Sequence, residues 1–295
     1  MADEAQQHAD AVVVGLAEET WPQLLRDFKD GVAQRCYHVD YSGELSSPMP
    51  RRDLFPAIGY LPVPSIIANR GCQNRCSFCV VHQGSYSRRV VRPIPEVIDE
   101  IQSLRTHRIM FLDPNLVSNR EYARNLLGTL IPMKLKWMAA APSNVVYDRE
   151  LFELMVRSGC DGVLIGFESF SQASMDQSDK RFNQVSQYKE IVDKLHAHGI
   201  AVGGCFVLGF DNDTPDILMN TAQAVYDIGV DFPRYALLTP FPGSRLFAHF
   251  KNEGRLLTED WSFYDSQHVV FQPRHMSAAH LQEIFTTLLP AKYIG

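Results

Sequence analysis

The sequence predicts a parallel α/β fold built as a partial (β/α)6 barrel of the TIM type. From residue 64 onward, six β-rich runs alternate with helix-period stretches, and such alternation implies parallel strands joined by right-handed helical crossovers. The six units take about 190 residues, whereas a closed eight-unit barrel takes roughly 250. A doubly wound open sheet is the alternative, but no G-x-G-x-x-G string follows a strand to support a dinucleotide fold.

A separate βα pair comes first. Residues 11–15 (AVVVG) read as a short β-branched strand, and residues 18–30 as a helix with Trp21, Leu24, Leu25 and Phe28 on one face. One strand and one helix are too little to fold alone, so residues 1–35 are expected to be the tail of another domain. Residues 36–63, punctuated by Gly43, Pro48, Pro50, Pro56 and Gly59, are expected to be a linker. The barrel is expected over residues 64–255. Its strands are SIIANR (65–70), RIMFL (108–112), LKWMAA (135–140), GVLIGF (162–167), VGGCFVL (202–208) and YALL (235–238). Helices are expected over 95–106, 119–130, 148–158, 184–197, 215–228 and 244–253. Pro95 suits a first helical turn, Asp148 an N-cap, and Gly159 and Gly199 the places where helices stop. Residues 256–295 are expected to be a truncated C-terminal extension with one helix from Ala278 to Leu289.

Composition narrows the function classes. There are 34 acidic and 28 basic residues, a net charge of −6, and no block of like charge. General nucleic-acid binding, which needs lysine and arginine to neutralise phosphates, is disfavoured. The apolar run from Ile200 to Phe210 is too short to cross a bilayer, and residues 1–10 are polar and acidic rather than a secretion leader. The expected location is cytoplasmic.

Three of the six cysteines fall within eight residues, as Cys72-x3-Cys76-x2-Cys79. This crowding differs from a secreted disulfide framework and fits a metal or cluster site. Three thiolates at this spacing can hold three irons of a [4Fe–4S] cube and leave the fourth iron open to a small molecule. Electron carriers instead use four cysteines per cluster. The alternative is a zinc site with His82 as a fourth ligand, a pattern that only Cys79 and His82 approach. The segment follows the first strand, so it falls on the first βα loop, at the catalytic mouth of a β/α barrel. Cys160 and Cys205 sit in apolar contexts and are expected to be small core residues. Arg88, Arg89 and Arg92 follow the cysteine loop and read either as a solvated cluster or as contacts for an anion.

The string C-x3-C-x-Φ-C, with Phe78 at Φ, resembles the signature of the radical S-adenosylmethionine (SAM) superfamily over residues 60 to about 290. The resemblance implies that the open iron is chelated by SAM. An electron from the reduced cluster then cleaves SAM to methionine and a 5′-deoxyadenosyl radical. It also implies a small-molecule substrate and an electron donor such as flavodoxin or ferredoxin. The strings HADAVVVGLAEETWPQLLRDF, PRRDLF, NRGCQNRCSFC, IMFLDPN, SGCDGVLIGFES, VLGFD and LTPFPGSRLF together resemble the B12-binding radical SAM proteins, in the branch of the hopanoid C-2 methylases. By that resemblance residues 1–35 correspond to the last βα unit of a cobalamin-binding domain, and the implied activity is cobalamin-linked methyl transfer. The D-x-H-x-x-G signature of that domain is absent, and DKLHAHG has the wrong spacing. A complete corrinoid site is therefore not expected in this chain. A tRNA methylthiotransferase is the second reading within the superfamily. It calls for three further cysteines upstream, where only Cys36 lies.

Polar or glycine-rich groups recur where the later strands end, at the face that carries the active site of a barrel. Asp113 and Asn115 follow RIMFL, Glu168 and Ser169 follow GVLIGF, and Gly209, Asp211 and Asp213 follow GCFVL. By resemblance, Asp113 is a ligand of the SAM amino group, with Asn115 beside it. Glu168 then contacts the SAM ribose or methionine part, and Phe78 and the glycine-rich fifth strand through Gly209 form the adenine surface. Asp113 reads alternatively as a helix N-cap and Glu168 as a solvated loop acid. Asp211 and Asp213 read as turn formers.

Overall fold

A computed structural model describes residues 2–38, 43–55, 63–81 and 89–288. The N-terminal unit consists of a short helix α1 (Ala2–Ala5), strand β1 (Val12–Val14), helix α2 (Ala17–Lys29) and strand β2 (Cys36–His38). Strands β1 and β2 pair in parallel, Val12 opposite Cys36 and Val14 opposite His38. The expected linker therefore carries a strand. Tyr37 anchors it: the ring is buried, and its hydroxyl donates to Asp27 at 2.9 Å and accepts from the Gln34 amide at 3.0 Å. A three-residue strand is too short to leave a period. Strand β3 (Gly43–Glu44) also falls in that stretch. Trp21, Leu25 and Phe28 of α2 remain exposed.

The first barrel strand is split. Strand β4 (Ser65–Ile66) enters the main sheet, while β5 (Asn69–Arg70) pairs antiparallel with β6 (Val90–Val91), which also pairs with β3. The split has a chemical cause. The amides of Ala68 and Asn69 donate to the carboxylate of Asp113 instead of to a neighbouring strand.

Thereafter helix and strand alternate: α3 (Ile94–Ser103), β7 (Arg108–Phe111), α4 (Arg120–Leu130), β8 (Lys136–Ala141), α5 (Arg149–Arg157), β9 (Cys160–Glu168), α6 (Gln172–Gln177), α7 (Tyr188–His196), β10 (Ala201–Leu208), α8 (Pro215–Ile228), β11 (Phe232–Leu237), α9 (Arg245–Asn252) and α10 (Ala278–Leu288). The six-stranded sheet runs β11-β10-β9-β8-β7-β4, every pair parallel, which is the expected order of a six-unit partial barrel.

Alternation along the strands sorts their side chains. Trp137, Val163, Ile165, Phe167, Val202 and Phe206 face the helices and are buried, while Met138, Leu164 and Phe232 lie on the opposite, concave face and stay exposed. Asp148 caps α5 by accepting from the Leu151 amide, as expected. Gly159 adopts φ +96°, and a Cβ there would overlap the Leu135 carbonyl oxygen, so the turn requires glycine. The C-terminal extension is part of the barrel: Phe271, Leu281, Ile284 and Phe285 are buried in the same core as the sheet.

Candidate functional site

The cysteine loop leaves β5 and spans Gly71 to Val81. Backbone hydrogen bonds dock it on both sides. The Ser77 amide donates to the Ser178 carbonyl at 2.9 Å, and the Leu246 amide donates to the Ser77 carbonyl at 3.0 Å. The Gln73 amide donates to the Ser118 hydroxyl at 2.9 Å. Arg245 reaches the Arg75 carbonyl oxygen and pairs with Asp179 at 2.8 Å.

Cys72, Cys76 and Cys79 line one cavity of about 220 Å³ together with Asn115, Gly166, Glu168, Lys180 and Cys205. Amide groups point at the sulfurs. The Asn74 and Val81 amides donate to Cys72 Sγ and Cys79 Sγ at 3.4 Å, and Asn115 Nδ2 approaches Cys72 Sγ at 3.6 Å. Burial pushes the Cys76 thiol up to about 11 and also raises Cys79. These thiols therefore stay protonated unless a bound cation draws off the proton, as metal binding does. Among the described residues no three His, Cys, Asp or Glu side chains converge on a point that a single metal ion would occupy. A cube that takes one thiolate per iron needs no such convergence. Soft thiolate donors, amide groups aimed at sulfur and a shared cavity fit an iron–sulfur cluster. His82, the fourth ligand of the zinc reading, and Arg88 lie outside the described residues.

Glu168 ends β9 beside a register shift between Cys205 and Phe206, which pair with Gly166 and Glu168. Its φ of +66° is left-handed, a conformation costing about 1 kcal/mol or more in a residue with a side chain. The carboxylate lies over Gly166, where a Cβ would collide with it. There it accepts from the ammonium of Lys180, and both side chains are about nine-tenths buried. Burial works against the lysine's charge, but Glu168 and the nearby thiols outweigh it, and the pKa is raised. Nothing in the sequence marks Lys180 as a site residue. It stands three residues after an ordinary six-residue helix, and only the fold turns it inward.

The other expected site residues divide. Asn115 lines the cavity. Phe78 lies between it and a second cavity of about 330 Å³, edge-on to Phe210 at 5.8 Å, with Leu238 on the wall. Asp113 does not line the cavity and is not a helix cap. The α4 cap is Asn119, and the Asp113 carboxylate is committed to the Ala68 and Asn69 amides, with burial pushing it up to about 7. Gly209 also faces away, with φ +108°, against Phe271 and Leu281. Asp213 accepts from the Gly209 and Phe210 amides at 2.9 Å, as a turn former does. Asp211 is instead buried in ion pairs with Arg255 at 2.6 Å and Arg274 at 2.9 Å. Cys160 is buried as expected, but Cys205 lines the cavity, because the bulge in β9 and the inward glycines open that face. Arg92 is buried against Glu100 at 2.6 Å, away from the cavity.

A family model described as the radical SAM superfamily matches residues 66–225. The chain is 30% identical to the bacteriochlorophyllide d C-12(1)-methyltransferase of Chlorobaculum tepidum, covering 100% of this chain and 67% of that protein. It is 27% identical to the hopanoid C-2 methylase of Rhodopseudomonas palustris, covering 72% of this chain and 42% of that protein. Among solved structures, the radical S-adenosylmethionine methyltransferase TsrM from Kitasatospora setae, with tryptophan and a SAM analogue bound, shares the fold. It matches at TM-score 0.60 and 19% identity, over 76% of this chain and 45% of that one. The chain spans between about two fifths and two thirds of the length of these relatives.

Proposed function

This chain belongs to the radical SAM superfamily, and on that premise we propose that it cleaves SAM reductively and directs the resulting radical to methyl transfer on a small-molecule substrate. The observation that carries the reading is the convergence of Cys72, Cys76 and Cys79 with the buried Glu168–Lys180 pair on one cavity. The three thiolates would hold a [4Fe–4S] cluster, and the chemistry it would supply is one-electron reductive cleavage of the sulfonium C–S bond of SAM. Glu168 and Lys180 present a carboxylate and an ammonium side by side. That arrangement complements the ammonium and carboxylate of an amino acid, so the pair would hold the methionine end of SAM. Asn115 would steady the Cys72 thiolate. The second cavity, with Phe78, Phe210 and Leu238, offers apolar walls for adenine.

Methyl transfer and a link to cobalamin are supported by relatives named methyltransferases and by the likeness of residues 1–35 to the end of a cobalamin-binding domain. The parallel β1–β2 pair crossed by α2 is compatible with that origin. The SAM that is cleaved keeps its methyl on methionine, so the transferred methyl would come from a methylcobalamin. Two strands cannot enclose a corrinoid, so that cobalamin would need further structure. Reduced flavodoxin or ferredoxin would supply the electron, in the cytoplasm. No helix among the described residues is long and apolar enough to cross a membrane.

The test is anaerobic reconstitution with iron and sulfide, followed by SAM and dithionite. Methionine and 5′-deoxyadenosine should form in equal amounts. A chain that retains iron but leaves SAM intact contradicts the proposal.

A further inference from the structure

A closed TIM barrel fills its interior with bulky branched side chains. Here the concave positions of β9 and β10 include three glycines, Gly162, Gly166 and Gly203. Met138 and Leu164 are each 41% exposed, and Phe232 is 71% exposed. These residues share one face: a Cβ at Gly162 would touch Met138, and one at Gly203 would touch Leu164. The register sets Leu164, Gly203 and Phe232 in one row, with Gly166, Cys205 and Arg234 in the next row toward the site. A cavity of about 450 Å³ lies there, walled by Leu164, Gly203, Phe232, Arg234 and Gln267. Leu164 also lines the cysteine cavity, so the two spaces adjoin.

Of the described residues in that wall, Arg234 alone is charged. Among the described residues its guanidinium has no ion pair and no hydrogen bond, whereas Arg92 and Arg255 are both committed to carboxylates. A free guanidinium at the rim of an apolar trough is matched by a carboxylate, which it can grip through two parallel bonds.

We propose that the glycine-floored trough beside the cysteine cavity takes an apolar small molecule bearing a carboxylate, with Arg234 holding the acid and Met138, Leu164 and Phe232 covering the apolar body. The identification of that occupant as the substrate rests on the proposed radical chemistry; the binding does not. The volume is in the usual range for a ligand pocket. The missing side chains on the floor leave depth for a broad or flat body, and the continuity through Leu164 places that body next to the cysteine cavity.

The test uses two fluorescent probes that differ only in the acid, pyrenebutyrate and pyrenebutanol, titrated into the full chain. Wild type should bind the acid about tenfold more tightly, as a charge-assisted bond requires. Arg234→Gln should lower the affinity for the acid to that for the alcohol and leave the alcohol unchanged. Gly203→Val, which fills the floor against the movable end of Leu164, should weaken both about tenfold. Equal affinities in wild type, a preference that survives Arg234→Gln, or indifference of both probes to Gly203→Val would each overturn the proposal. SAM cleavage is measured on the same sample. Absent cleavage with the acid preference intact sinks the radical reading and upholds the acid site.

Discussion

Replacing Lys180 with methionine removes the positive charge set beside Glu168, Cys76 and Cys79 while keeping most of the side chain's volume. Lys180 and Glu168 are 10% and 9% exposed, so the carboxylate left behind has little water to turn to. Breaking a buried pair in this way costs about 3–5 kcal/mol. In a chain of this size that corresponds to a fall in Tm on the order of 10 °C. If Lys180 also holds the SAM carboxylate, the lost charge-assisted bond is worth about 1.5–3 kcal/mol, or roughly 10- to 150-fold in Kd. Urea unfolding of the apo chain reads the first effect, and equilibrium dialysis of SAM against the reconstituted chain reads the second. Glu168→Gln combined with Lys180→Met should recover at least about 1 kcal/mol of the stability lost in Lys180→Met alone, because it leaves no unpaired charge. A Lys180→Met chain with wild-type stability and wild-type SAM affinity would refute both the pairing and the role.

Alanine at Cys72, Cys76 or Cys79 should abolish the four-iron spectrum and SAM cleavage together, whereas Cys160→Ala should retain iron and lose about 1 kcal/mol of packing, read from absorbance and urea midpoints. Asp113 binds its proton up to about 7 in the folded chain but releases it near 3.9 when unfolded. The folded state therefore holds more protons between those values, and its stability falls as pH rises through that window, by at most about 1.4 kcal/mol per unit. Unfolding midpoints at about pH 5 and about pH 7.5 should show this slope in wild type and a flatter one in Asp113→Asn; equal slopes would clear Asp113 of responsibility. Gly159→Ala should cost about 2 kcal/mol or more, from the left-handed φ and the collision with the Leu135 carbonyl, measured by thermal unfolding.

What the sequence could carry was whatever repeats or has fixed chemistry. The six strands leave apolar runs, their helices leave a 3.6-residue period, and three cysteines within eight residues declare a cluster loop. Contacts between distant segments leave no such trace. Asp113 lies at the end of a strand, where an acid is expected to face the site, yet the amides of Ala68 and Asn69 capture it and split the first strand. The place of Gly209 after the fifth strand points to the ligand, but the C-terminal Phe271 and Leu281 pack onto it from segments far along the chain. Lys180 becomes a site residue only because the turn after α6 folds inward over Gly166. Cys205 looks like core in one dimension. It lies on the concave face because every second residue of β10 does, and the glycines around it leave that face open. The strand at Cys36–His38 is held by a single buried tyrosine, too small a signal to stand against the glycines and prolines around it.

The proposed chemistry requires that three cysteines of this chain hold a four-iron cluster whose remaining iron binds SAM. Electron paramagnetic resonance of the anaerobically reconstituted, dithionite-reduced chain, recorded with and without SAM, tests it most directly. A reduced-cluster signal should appear, its g-values and line shape should change on adding SAM, and Cys76→Ala should lose it. A colourless zinc-containing chain, or a cluster signal that SAM leaves unaltered, would contradict it.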